Sequence, residues 1–277
     1  MIISNEIITS RNNDFVKWAS SLQEKKGRNE AESFIAEGVK LSLEALDASL
    51  PVTHIIVEES RRSLFEEKFS SHIGDEKFNS VKVIYVSESV LQKISTEKAP
   101  QGIISIIKYL DFSRRLDIIY KVDNCLHKDE RAIILSSVRD PSNLGAIIRS
   151  SVAFGTDRII LSEDCADEYS PKTVRSAMGS LFRVKLSRVS DLPRCIGLIR
   201  ESGRRVFAAE LTDDARSVRE VGFSSSDVVV VGNEGHGIDP SVSGACDASV
   251  YIPISKKTES LNASVAAAIF MWEQSKG

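Results

Sequence analysis

The stretch Val250–Trp272, VYIPISKKTESLNASVAAAIFMW, decides how this chain folds. Val250–Ile254 is an apolar strand, and Pro253, with no N–H to give to a ladder, suits its end rather than its middle. Ser255–Glu259 is a polar loop. Ser260-Leu261-Asn262 then opens an Ala-rich run whose length and composition predict a helix over Asn262–Trp272. Ser260 or Asn262 can cap that helix by accepting backbone N–H bonds. One cap would suffice. Two polar residues at the mouth of a helix that follows a strand mark the place where open α/β folds put their ligands.

Upstream of that stretch, from Arg131, strand, turn and helix alternate. Ile133–Ser136, Arg158–Leu161, Phe182–Leu186, Val206–Glu210 and Val228–Val231 read as strands. Ala146–Phe154, Pro171–Met178 and Leu192–Glu201 read as helices. This βαβ grammar predicts an α/β domain over residues 131–277, with a parallel sheet covered on both faces. Residues 109–130 are charged at both ends and carry a short apolar stripe at Leu116, Ile119 and Tyr120. They read as a linker containing a short helix, with His127 exposed. Residues 1–108 read as a smaller α/β domain in the order α-α-β-α-β-α-β. Its first helix, residues 12–26, has Phe15, Trp18, Ala19 and Leu22 on one face; a second follows at Val39–Ala48, and strands at His54–Val57, Lys82–Val86 and Gly102–Ile107.

At 277 residues the chain has room for two such cores. It is 42% apolar and 27% charged, with no apolar run near the roughly 20 residues of a membrane span. Its N-terminus, MIISNEIITSRNND, lacks a signal-peptide pattern, so a cytoplasmic protein is expected. Cys125, Cys165, Cys195 and Cys246 form no CxxC pair and read as reduced structural thiols, with no metal site. The net charge of −3 divides into −2 over residues 1–124 and −1 over 125–277, which counts against nucleic-acid binding by a bulk positive field. A local patch is still open to the chain, at Lys25, Lys26 and Arg28 or at Arg61-Arg62, although each cluster taken alone reads first as a solvated surface.

Two further turns carry chemistry. In SSVRDPSNLGAIIRSSVAFG, residues 136–155, Asp140-Pro141 makes a turn, Ser142 or Asn143 can cap the next helix, and Gly145 permits a close backbone approach. Arg149 interrupts an apolar run, either as a solvated-side arginine or as a functional one. In VVVVGNEGHGID, residues 228–239, a buried-type strand runs into a glycine-rich loop that can cradle a ligand. The loop is neither GxGxxG nor a Walker sequence, and His236 is open to two readings, a base or a plain loop residue.

Taken together and in this order, DPSNLGAIIRS, VGNEGHGID and YIPISKKTESLNASVAAA resemble the three motifs of the SpoU (TrmH-like) RNA 2′-O-methyltransferases. The first domain resembles that family's ribosomal-protein-like substrate-binding domain in Ile8-Thr9-Ser10, Glu24-Lys25-Lys26-Gly27-Arg28, Ala36-Glu37-Gly38 and Pro100-Gln101-Gly102. Ala263 departs from a frequent valine without chemical consequence, and the linker is longer than is typical. The resemblance implies a methyltransferase domain with a deep C-terminal trefoil knot, and a homodimer that binds S-adenosylmethionine against the backbone at Gly232, Ile252 and Leu261. It also implies Asn143, Arg149, Glu234, Ser260 and Asn262 as polar active-site residues, and an RNA substrate, ribosomal or transfer. A guanidinium is a poor base, so Arg149 is expected to hold a phosphate and stabilise a developing alkoxide. Asn143 would orient it or the ribose, Ser260 and Asn262 would hold the target nucleotide, and Glu234 would brace the glycine loop. Lys25, Lys26 and Arg28 are expected to meet RNA phosphates. A non-catalytic RNA-binding protein and a nucleotide-dependent doubly wound enzyme are the competing readings.

Overall fold

The computed structural model describes residues 1–110, 113–116, 126, 127, 129–233 and 235–277. It forms two compact units, one of Met1–Leu110 with Asp167–Phe182, the other of the rest.

The first unit carries the strands β1 (Ile2–Ile8), β2 (Ser33–Glu37), β3 (Val52–Glu58), β4 (Lys82–Val86) and β5 (Ile103–Lys108). Its helices are α1 (Asp14–Ser21), α2 (Lys25–Ala31), α3 (Val39–Asp47), α4 (Arg62–Lys68) and α5 (Glu88–Ile94). The sheet order is β1-β4-β3-β5-β2, parallel from β1 to β3 and antiparallel at β5. Strands β1 and β2 are not predicted by the sequence pattern: Asn5 and Glu6 break the apolar run of the first, and Ser33–Glu37 is too short to declare a period.

The expected helix 12–26 is two helices. α1 ends at Ser21, and α2 is laid against that end because Gly27 has no Cβ to strike the Ser21 carbonyl oxygen. Arg28 fills the corner. It donates to the carbonyls of Leu22 (2.9 Å) and Gln23 (2.7 Å), and to Asp167 Oδ2 (2.6 Å), with only 3% of its surface exposed. Arg28 is therefore not a phosphate contact: its charge is committed to an internal carboxylate and to two backbone oxygens. Lys25 and Lys26 are exposed.

The helix Pro171–Ala177, expected in the second domain, belongs to the first unit, where it packs on β2. Tyr169 leads into it, stacked on Phe34 (4.7 Å) and Tyr109 (4.3 Å), and its hydroxyl accepts from the Leu110 N–H. The first unit thus runs two residues past the expected boundary at 108 and is completed by a distant segment.

In the second unit the strands are β6 (Ser113–Leu116), β7 (Ala132–Leu135), β8 (Arg158–Ser162), β9 (Lys185–Val189), β10 (Val206–Ala209), β11 (Arg216–Ser217), β12 (Val228–Val231) and β13 (Ala248–Tyr251). Its helices are α6 (Pro141–Phe154), α8 (Leu192–Glu201), α9 (Pro240–Ser243) and α10 (Ala263–Gln274), the Pro171–Ala177 helix being α7. The sheet order is β11-β13-β10-β12-β7-β8-β9-β6, and every pairing is parallel, as the βαβ grammar requires. The linker expectation is corrected at Ser113–Leu116, which is not helical but pairs with β9. Ile119 and Tyr120 of the expected stripe lie outside the described residues.

Strand β12 is buried throughout. Val228 and Val230 face a core with Ile134, Val206, Ala208 and Ile199, while α10 covers its other side. Gln274 pins the end of α10 by donating to the carbonyls of Asp227 (2.6 Å) and Ala132 (3.2 Å), so the last turn of α10 is held at the starts of β12 and β7. Among the described residues no helix is long and apolar enough to cross a membrane.

A buried ion cluster braces the edge of the sheet where β7, β8 and β9 begin. Glu130 accepts from Arg158 Nε (2.7 Å), Lys185 Nζ (2.6 Å) and the His127 N–H (3.1 Å). Burial alone would raise its carboxyl. The hydrogen bonds from Arg158, Lys185 and His127 outweigh that and hold it at about 2, against an ordinary 4.5. A folded value below the unfolded one gives stability that is present above about pH 4.5 and lost as pH falls towards 2. Glu130→Gln should cost about 3 kcal/mol in urea unfolding at pH 6, and clearly less at pH 3. A cost that does not change with pH would show that the carboxylate's charge is not what stabilises this edge.

Candidate active site

Because the second sheet is parallel, β10, β12 and β13 end on the same side. Between those ends and the start of α10 lies a pocket of about 290 Å³. Its walls are largely apolar: Val231, Ile252, Ile254, Leu261, Ala266 and Phe270. Gly232 lines it as well, so all three expected cofactor-binding positions, Gly232, Ile252 and Leu261, meet here. Glycine is required at 232, where a Cβ would stand 2.5 Å from the Gly237 carbonyl oxygen.

The glycine loop is folded around Asn233, which no sequence motif singles out. Its backbone exchanges hydrogen bonds with Gly237 (3.0 and 2.9 Å). Its Oδ1 accepts from the N–H groups of Gly235 (2.8 Å) and His236 (3.3 Å). Its Nδ2 donates to the carbonyl of Ser137 (3.0 Å), a non-glycine residue held at φ 59° just after β7. The clue in the sequence is an Asn directly after the tight glycine, where its side chain can organise a turn. His236 is exposed and does not line the pocket. Glu234 lies outside the described residues.

The polar residues gather where two helices begin. Asn262 is the N-cap of α10, its Oδ1 accepting from the N–H (2.9 Å) and hydroxyl (2.6 Å) of Ser264. Its Nδ2 donates to Asn143 Oδ1 at 2.9 Å. Asn143 can turn towards Asn262 because neither it nor Ser142 caps α6. Asp140 does so, with Oδ1 accepting from the N–H groups of Ser142 (2.6 Å) and Asn143 (3.0 Å), and Pro141 begins the helix. The helix expected from Ala146 accordingly begins five residues earlier, at Pro141, with Gly145 buried inside it. Ser260 is exposed and lines the pocket at its rim. The result is a direct bridge between two helix N-termini, a place whose dipoles favour an anion.

Arg149 stands apart. It is exposed on α6, six residues beyond Asn143 and so roughly 120° away around the helix. It does not line the pocket, and its side chain makes no hydrogen bond or ion pair with another described residue. Phe154 and Trp272, on the packed pair α6 and α10, meet edge to face at 5.8 Å, and Trp272 and Val265 remain about half exposed.

Comparison with known proteins places this geometry. Residues 13–105 match the MRM3-like substrate binding domain, and residues 130–272 match the SpoU rRNA Methylase family. The chain is 29% identical over 265 residues to the 23S rRNA (guanosine(2553)-2′-O)-methyltransferase RlmP of Bacillus subtilis, covering 96% of this chain and 97% of that one. It is 30% identical over 225 residues to the 23S rRNA (guanosine-2′-O-)-methyltransferase RlmB of Coxiella burnetii, covering 80% and 86%. Its fold superposes on the AdoMet-bound rRNA methyltransferase of Sinorhizobium meliloti with a TM-score of 0.82 at 29% identity, over 99% of this chain and 98% of that one. Strand ends, glycine loop and paired asparagines fall inside the matched span, and the chain belongs to the SpoU rRNA methylase family.

Proposed function

We propose that this protein transfers the methyl group of S-adenosylmethionine to a ribose 2′-hydroxyl of ribosomal RNA. The observation that carries the reading is the joining of an apolar pocket at three parallel strand ends with the Asn143–Asn262 bridge at its border. Pocket and bridge serve different substrates, one a nucleoside cofactor and the other a polyanion. The bound cofactor supplies an electrophilic methyl on a sulfonium. The chain must supply orientation, a place for the nucleotide and a route for one proton.

The residues present fit that cofactor. Gly232, Ile252 and Leu261 all line the cavity, and its apolar walls would exclude water from a charged sulphur. Asn143 and Asn262 hold each other's amides, so both are preset to receive the target ribose or its phosphate, with Ser260 beside them. Arg149 is assigned to the RNA: an exposed guanidinium holds the phosphate next to the target ribose and stabilises the developing alkoxide. Glu234 is assigned to bracing the glycine loop. Lys25 and Lys26 supply the exposed positive charge of the first unit to RNA phosphates. The reading includes a trefoil knot in the second unit, action in the cytoplasm without a metal, and a homodimer through the half-exposed apolar residues Val265 and Trp272 of α10.

The test is binding and transfer together. S-adenosylhomocysteine should raise the melting temperature where NAD and ATP do not, and labelled methyl should appear on a ribose of 23S rRNA. Ala266→Phe, which fills the pocket without touching the backbone, should weaken S-adenosylhomocysteine at least about tenfold in calorimetry while the unliganded melting temperature holds. Unchanged affinity would move the cofactor elsewhere.

Arg149→Ala should leave cofactor affinity within about threefold yet cut turnover roughly 100-fold. Lost cofactor binding with a normal rate at saturating cofactor would refute the assigned role. Sedimentation should find a dimer at micromolar concentration, and Trp272→Glu should yield monomers.

A further inference from the structure

Glu210, the first residue past β10, is the one charged side chain among the described residues that line the pocket. Its position is held on every side. The backbone N–H reaches the carbonyls of Val250 and Ala208, both at 3.0 Å. Oε1 accepts from the Ser249 hydroxyl at 2.8 Å and from the hydroxyl of Ser243, at the end of α9. Oε2 has no hydrogen-bond partner among the described residues.

Two serines thus fix the rotamer and engage one oxygen. Both are neutral donors, so the negative charge remains, beside largely apolar walls. A carboxylate oxygen in such surroundings gains from any ligand that brings donors, because charge-assisted hydrogen bonds are the stronger kind. The cofactor offers three donor groups: the adenine amine, the ribose hydroxyls and the methionine ammonium. Placement favours the second. Glu210 stands at the carboxyl end of a parallel strand, next to the strand that feeds the glycine loop. In doubly wound sheets a strand-end acid near such a loop is the group that holds ribose hydroxyls. A vicinal diol also brings two donors to one carboxylate without neutralising it, leaving the charge to act on the nearby sulfonium.

We propose that Glu210 is a cofactor-positioning residue whose free carboxylate oxygen accepts hydrogen bonds from the ribose hydroxyls of S-adenosylmethionine, an inference that rests on the pocket's assignment to that cofactor. The sulfonium is then held at a set depth by its own ribose. Four probes separate the donors: S-adenosylhomocysteine, 5′-methylthioadenosine, which lacks the amino acid, and the 2′-deoxy and 3′-deoxy forms of the latter.

Calorimetric titration of the unaltered protein, Glu210→Gln and Glu210→Ala decides the matter. Glu210→Ala should weaken S-adenosylhomocysteine and methylthioadenosine by a similar factor, about tenfold or more, with Glu210→Gln between. At least one deoxy probe should bind the unaltered protein that much more weakly and lose nothing further in Glu210→Ala. A loss confined to S-adenosylhomocysteine would put the carboxylate on the ammonium and overturn the proposal. An equal further loss for both deoxy probes would put it on the base and overturn the proposal as well. Unchanged affinities in Glu210→Gln, which can keep both serine bonds, would leave Glu210 a brace for Ser243 and Ser249. S-adenosylhomocysteine failing to bind the unaltered protein would bring down the pocket assignment itself.

Discussion

Strand β12 is the constraint on which the second unit depends. It must lie between β10 and β7, and its registers, Val206 opposite Val228 and Val228 opposite Ala132, leave no slack in either pairing. Four valines buried on both faces make a slip of one residue costly, since it would exchange the faces of the whole strand. With β12 held, the glycine loop has only one place to emerge, beside the end of β10 and across from the turn after β7. Asn233 reaches that turn at Ser137 because the register puts it there. α10 is under the same control, tied at its far end to Asp227 and Ala132 and at its near end to Asn143. The pocket at the strand ends and the Asn143–Asn262 bridge are thereby tied to the same helix and the same strand.

The second unit was legible in the sequence to a far greater degree than the first. Parallel strands buried on both faces read as unbroken apolar runs, so Val228–Val231 could be bounded to the residue, and the helical spacing of Leu192, Cys195, Ile196 and Ile199 did the same for Leu192–Glu201. Helix starts were harder. Asp140, Ser142 and Asn143 are all competent caps, and only the tertiary structure shows that Asp140 takes the role and frees Asn143 for Asn262. In the first unit, β1 and β2 depend on partners far away in sequence, and no local pattern announces them.

The clearest failure of pattern reading is Arg28. In the sequence it belongs with Lys25 and Lys26 as a basic cluster. In the fold it is a buried brace that closes the end of α1 and meets Asp167, more than a hundred residues away. An arginine suits that corner because its planar fork can serve two carbonyls and a carboxylate together, which a lysine's point charge cannot. Charge counting therefore overstated the positive surface by one, and Glu210 shows the opposite error: a single acid at the end of an apolar strand went unremarked because it has no charged neighbour.

The segment Asp167–Phe182 has a consequence for how such a chain can change over evolutionary time. The first unit is discontinuous: its sheet is finished by α7, encoded between strands β8 and β9 of the other unit. A single crossover near residue 110 would deliver an N-terminal module stripped of the helix that covers β2, and a C-terminal module still carrying that helix without its seat. Shuffling by one cut is therefore penalised. Inheritance of both stretches of the first unit together, kept matched by the stacking of Tyr169 on Phe34 and Tyr109, is the route this topology leaves open.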